Sequence, residues 1–128
     1  MPLRLTDAAL KKRILAFIAD WRDIVGLTHW DVRVKWNELE YQATVVVELP
    51  QYEWVTIHCN LKKIREKQDS LAELEELVVH ELSHTFTWVL ARGIEGVRLQ
   101  DEAQEHFEEV ATTQISRALI RARNQGRG

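Results

Sequence analysis

At 128 residues, with 45% hydrophobic and 29% charged residues, the chain reads as a single globular domain with room for a sizeable core; this composition excludes a disordered or fibrous protein. A net charge of −3 excludes a global attraction to nucleic acid or an anionic membrane, and no apolar run approaches the roughly 20 residues of a membrane span. A single cysteine, Cys59, excludes an intramolecular disulfide and a cysteine-based zinc knuckle; together with a start that carries no signal-like segment, this sets the expectation of a cytoplasmic protein.

Thr6 is placed to cap a first helix, in which Leu10, Ile14, Phe17, Ile18, Trp21, Ile24 and Val25 recur at helical spacing until Gly26 ends it. The next segment alternates. Trp30, Val32, Val34 and Trp36 fall on one side, with Asp31, Arg33 and Lys35 on the other, as in a strand with one buried face. A second strand spans Ala43 to Leu49 and stops at Pro50, and a third spans Tyr52 to Cys59. Short connections predict an antiparallel meander for the three. Residues 61–69 read as a polar connection with room for one helical turn.

Ser70 and Glu73 then form a capping box that opens a long helix running to about Arg92, with Gly93 as its C-cap. After a loop from Ile94 to Gln100, Asp101 and Gln104 offer a second capping box for a last helix reaching about Asn124. The arginines of this last helix and tail (Arg117, Arg121, Arg123 and Arg127) read as a solvated helix end.

The long helix carries His80-Glu81-Leu82-Ser83-His84. Residues four apart share a helix face, so the two imidazoles can meet one metal ion. Glu81, about 100° round the helix, sits where a general base for a metal-bound water belongs. Leu74, Leu77, Val78, Val79, Leu82, Phe86, Trp88, Val89 and Leu90 make the helix apolar on most sides, which predicts a central position and places the ionisable groups out of water. A divalent cation would compensate their burial together.

Two histidines leave tetrahedral zinc short of a protein ligand. The downstream candidates are Glu105, His106, Glu108 and Glu109. If Phe107, Ala111, Ile115, Ala118, Leu119 and Ala122 mark the core-facing stripe of the last helix, Glu108 lies on it and is the first choice. Glu109, about 100° away, is the alternative that a small register change would promote. Glu105 falls at the stripe's edge and His106 nearly opposite.

These elements together resemble the zincin metallopeptidases of the gluzincin type, in particular minimal forms such as short phage-encoded SprT-like and minigluzincin proteins. The resemblance rests on His80-Glu81-Leu82-Ser83-His84, on a glutamate in the following helix, and on the order helix, small sheet with a Trp-x-Val-x-Val strand, motif helix, glutamate helix. It implies an α+β fold with a three-stranded, mostly antiparallel sheet and one metallopeptidase domain over 1–128. It also implies one zinc ion held by His80, His84 and Glu108, with Glu81 as general base in peptide hydrolysis. A strand beside the cleft would bind an extended peptide by edge pairing, a role open to Tyr52–Cys59. The substrate class would be peptide or unfolded protein, with no membrane or nucleic-acid partner expected.

In two places the chain departs from the family pattern. Thr112 stands where gluzincins commonly carry an aspartate that orients a histidine, and no oxyanion-stabilising residue follows in a matching position, leaving Tyr41, Tyr52, His58 and His106 as candidates. The alternative readings are a zinc-binding zincin fold with a structural or regulatory role and little turnover, a SprT-like protease acting near DNA, and a helical interaction domain whose motif is accidental.

Overall fold

A computed structural model describes residues 3–49, 53–93 and 101–126, with side chains at 3–46, 53–87, 106 and 108–126. The chain is α+β: four helices and one three-stranded mixed sheet. Pro50, Tyr52 and the loop from Ile94 to Gln100 lie outside the described residues.

Helix α1 spans Asp7–Trp21, and the Thr6 side chain accepts from the Ala9 N–H at its start. The α-helical pattern stops five residues before Gly26, yet Gly26 still ends the element. Its φ of 83° sits in the left-handed region, Leu27 N–H reaches back to Arg22 C=O at 2.7 Å and Gly26 N–H to Asp23 C=O at 3.1 Å. These two bonds are the Schellman pattern, which satisfies carbonyls the helix would otherwise orphan. Leu10, Ile14, Ile18 and Trp21 bury the inner face of α1.

Strands β1 (Asp31–Trp36), β2 (Ala43–Leu49) and β3 (Trp54–Cys59) lie in the order β1-β3-β2, not as a meander. β3 is the central strand, parallel to β1 and antiparallel to β2. The link between β1 and β2 must therefore cross the C-terminal end of β3, and it is tied down there. Asn37 N–H donates to Cys59 C=O, Asn60 N–H to Gln42 C=O, and the Asn60 amide to Leu39 C=O at 2.9 Å. The short connections pointed to hairpins; these crossing bonds let one of them bridge two strand positions instead.

Asn60 also accepts from the Lys63 N–H and so caps α2 (Leu61–Lys67), a full helix where the sequence suggested a connection with one turn. Helix α3 covers Leu71–Gly93 and α4 covers Asp101–Gly126. The capping box at α3 forms, with Glu73 N–H donating to Ser70 Oγ at 3.2 Å, while the Glu73 carboxylate accepts from the Asp69 N–H at 2.7 Å.

Helix α3 packs against α1, β2 and α4. Leu74, Val78, Val79 and Leu82 share one core with Leu10, Ile14, Ile18 and Trp21 of α1, Ile57 and Cys59 of β3 and Ile64 of α2. Among the described residues no helix is long and apolar enough to cross a membrane. Because Leu74 is fully buried whereas Leu71, one turn earlier, is 39% exposed, truncation separates them. Leu74→Ala should lose about 2–5 kcal/mol in urea unfolding and Leu71→Ala less than about 1 kcal/mol. Equal losses would show that α3 is not seated as described.

Candidate metal centre

His80 and His84 lie one turn apart on the side of α3 that meets α4, and each keeps about a fifth of its side chain exposed (21% and 23%). Their Nε2 atoms approach to 3.1 Å, with the rings edge to face. The third group is Glu109 of α4. Its Oε1 stands 2.9 Å from His80 Nε2 and its Oε2 3.1 Å from His84 Nε2. Two imidazole nitrogens and the two oxygens of one carboxylate thus converge, with contacts of 2.9 to 3.1 Å. Tetrahedral zinc with bonds of about 2.0–2.1 Å holds neighbouring donors about 3.3 Å apart, close to these separations. Two imidazole nitrogens and one carboxylate are also a donor set suited to zinc, and the residues present fit the ion.

The carboxylate on the histidines therefore belongs to Glu109, the alternative in the sequence reading, rather than to Glu108, the first choice. The difference is one of helix rotation. The inward stripe of α4 is not the apolar one. Thr112 and Ser116 are the buried residues of its described part, Leu119 and Ile120 pack at the core's edge, and Ala118 and Ala122 are exposed or only partly covered. Residues 109, 112, 116 and 120 share a face, and 108 lies at its edge, about 100° from 109. Glu108 is half-buried and close enough to act on the charge of His84. His106 is exposed, and the side chain of Glu105 lies outside the described residues.

Glu81 is 7% exposed, and its carboxylate lies within 4.8 Å of the donor atoms of His80 and His84. Burial first, and the negative charge of Glu109 second, push its pKa up from 4.5 to about 8. Burial first, and then His80, hold His84 below its ordinary value, against the opposing pull of Glu109 and Glu108. Cys59, beneath the site, is buried, and its thiol is pushed up to about 12 by burial and by Glu81. Such a thiol is a packing residue, not a nucleophile.

Thr112 is fully buried, with Oγ1 3.3 Å from His84 Nδ1 and 2.7 Å from Thr87 Oγ1. A buried hydroxyl thus stands against the imidazole nitrogen of His84 that faces away from Glu109. The sequence signal was available in the mixed pairing of Thr87 and Thr112, two polar residues on otherwise packed helix faces.

Two clefts meet at His80. One of about 420 Å³ is lined by Lys67, Glu76, Leu77, His80, Thr113 and Arg117 among others. The other, about 360 Å³, is lined by Tyr41, Gln42, Ala43, Lys67, His80 and Glu81 among others. Of the oxyanion candidates, Tyr41 thus lines a cleft with the motif. His58 is instead bonded to Asn37, with Asn37 Nδ2 and His58 Nδ1 2.6 Å apart, and Tyr52 lies outside the described residues.

Compared with protein-family models, curated proteins and solved structures, the chain gives no significant match in any of the three.

The charge arrangement fixes the sign of a pH effect. The folded state holds the Glu81 proton more tightly than the unfolded chain does. Its stabilising contribution is therefore fully present below 4.5 and lost as pH climbs towards about 8. His84 acts oppositely, losing stability as pH falls through 6.5. Comparison with Glu81→Gln cancels the histidine contribution. In chelator, E81Q should gain stability on wild type between about pH 5 and pH 8, by up to about 1.4 kcal/mol per unit of pKa difference, read by urea unfolding at each pH. Parallel profiles would show that Glu81 is not the buried acid described.

Proposed function

We propose that this chain is a zinc-dependent metallopeptidase of the minimal gluzincin type, with His80, His84 and Glu109 as ligands and Glu81 as general base. The observation that carries the reading is the convergence of His80 Nε2, His84 Nε2 and the Glu109 carboxylate, with contacts of 2.9 to 3.1 Å, beside a buried glutamate. Zinc bound there would supply Lewis-acid chemistry, polarising a peptide carbonyl and acidifying a water.

The protein's own groups do the rest. Glu81 accepts the proton of the attacking water and delivers it to the departing amine. Its raised pKa, near 8 without a cation, falls when positive charge arrives beside it, which turns a buried acid into a carboxylate ready to take that proton. The substrate is an extended segment of peptide or unfolded protein lying through the two clefts at His80. Edge pairing cannot use β3, the strand first assigned that role, because β1 and β2 occupy both its edges. β2 is an edge strand and begins at Ala43 in the cleft wall, so it takes the role.

Metal analysis of the purified chain should find one zinc per molecule. Wild type should cleave an unfolded protein such as reduced casein, while Glu81→Gln keeps its zinc and loses about 10²–10⁴-fold in rate. Zinc retained at full stoichiometry by His84→Ala would sink the ligand assignment. Zinc binding without cleavage by wild type would leave a zinc-binding structural or regulatory protein in place of the peptidase.

The two glutamates of α4 separate in the same assay. Glu109→Ala should weaken zinc binding by more than about 100-fold in chelator competition, with a smaller effect for Glu108→Ala. The reverse order would restore Glu108 as the ligand.

A further inference from the structure

The sheet has two edges, and they differ in kind. On the β1 edge Asp31, Arg33 and Lys35 are all exposed, and Asp31 pairs with Arg33 at 3.0 Å. Charged side chains along an edge keep a strand from recruiting another chain. The β2 edge has no such protection, because Ala43 to Val47 carry no charge. Val46 is 42% exposed, while its neighbour Val45 packs against the core. The first charged residue of β2, Glu48, comes only where the ladder to β3 breaks step between Val47 and Leu49. Among the described residues, the backbone of β2 is paired on its β3 side alone.

The regular stretch Ala43–Val47 is compatible with its own copy. Paired antiparallel about Val45, it sets Thr44 of one copy opposite Val46 of the other on the outer face. On the inner face Ala43 then stands opposite Val47. These are cross-strand pairs of β-branched and small residues, with no like charges facing one another. The joined sheet would read β1-β3-β2-β2-β3-β1, and both of its remaining edges would be the charged β1. Growth therefore stops at two copies, as a closed two-fold contact requires.

We propose that the chain associates with a second copy through antiparallel pairing of β2, and that this contact occupies the edge an extended substrate would use. Ala43, the first residue of β2, lines the cleft of about 360 Å³ together with His80 and Glu81. A second copy on β2 therefore lies along the cleft wall, and substrate must displace it. The occlusion rests on the peptidase reading above; the dimer does not.

Sedimentation equilibrium of wild type should show a monomer–dimer exchange and no larger species. Val46→Lys gives β2 the kind of charge that β1 carries. It enters the dimer twice and should weaken it about 10-fold or more. The register is read separately, by mild oxidation of cysteine variants. Directly opposite positions bring Cβ atoms within about 4.5–5.5 Å, whereas positions two residues out of register stand about 7–8 Å apart, too far for a disulfide. Thr44→Cys mixed with Val46→Cys should thus form a linked pair, and neither variant alone should do so. Cys59 is buried and does not compete.

A chain that stays monomeric at every concentration overturns the proposal. So does a dimer that keeps its affinity in Val46→Lys and yields no mixed crosslink. The linked pair should fail to cleave reduced casein until a phosphine reduces its disulfide. Full-rate cleavage by the linked pair overturns the occlusion. A chain that cleaves nothing even as a monomer overturns the peptidase reading instead, and the dimer is still decided by sedimentation and crosslinking.

Discussion

Helix α3 has to be buried on nearly every side while carrying three ionisable groups within two turns, and the rest of the structure answers that conflict. Its apolar sides are met by α1 and β2, with Ile57 and Cys59 of β3 and Ile64 of α2 in the same core, and there Leu74, Val79 and Leu82 vanish from solvent. The side with His80 and His84 cannot be met that way, because burying unpartnered polar groups against leucine and valine would cost several kcal/mol. It is met by α4, whose buried Thr112 and Ser116 face it and whose Glu109, 58% exposed, reaches the two histidines from the rim. Apolar burial drives α3 into the centre, and hydrogen-bonded partners on α4 make that burial tolerable.

The conflict is not fully resolved by the protein alone. Glu81 and Glu109 are like charges facing one small volume, and Glu81 responds with a pKa of about 8. His84 responds in the opposite sense, held neutral by burial and by its neighbour His80. Metal-free, the site thus has one carboxyl that resists ionising and one imidazole that resists protonating. A dication held by these side chains would reverse the first and make use of the second, since neutral imidazole is the form that binds metal. The same burial that shifts these groups would strengthen every interaction with an ion, because the local dielectric is low.

How far this was legible in the sequence depends on whether each signal was local. Thr6, Gly26, Ser70 and Glu73 act on groups within a few residues, and each does what its position implies. The alternation of Val32 and Val34 likewise marks β1 directly. Strand order is a different matter: nothing in Ala43–Leu49 states that β3 will insert between it and β1, because the decisive bonds, from Asn37, Asn60 and Gln42, are non-local. Asn60 was readable as a helix cap, and with it α2. That Glu109 and not Glu108 contacts the histidines has a physical reason. A helical wheel places the apolar stripe inward, but α4 packs on a polar surface and turns a polar stripe inward.

That rotation of α4 is enforced at both ends of its described length. Arg123, in the stretch that read as a solvated tail, lies over the Trp21 ring at 4.6 Å and bonds Asp20 at 2.5 Å, while Glu75 accepts from Trp21 Nε1 at 3.0 Å. Arg123 keeps only 19% of its side chain exposed. Along α4 it is 14 residues from Glu109, about 21 Å, and within about 40° of the same face. Thr112 falls within about 60° of that face as well. Turning α4 by the 100° that would bring Glu108 onto the histidines breaks the Arg123 stack and the Thr112–Thr87 contact together. The identity of the carboxylate at His80 and His84 is therefore decided by a cation resting on a tryptophan some 20 Å away as much as by any residue of the site itself.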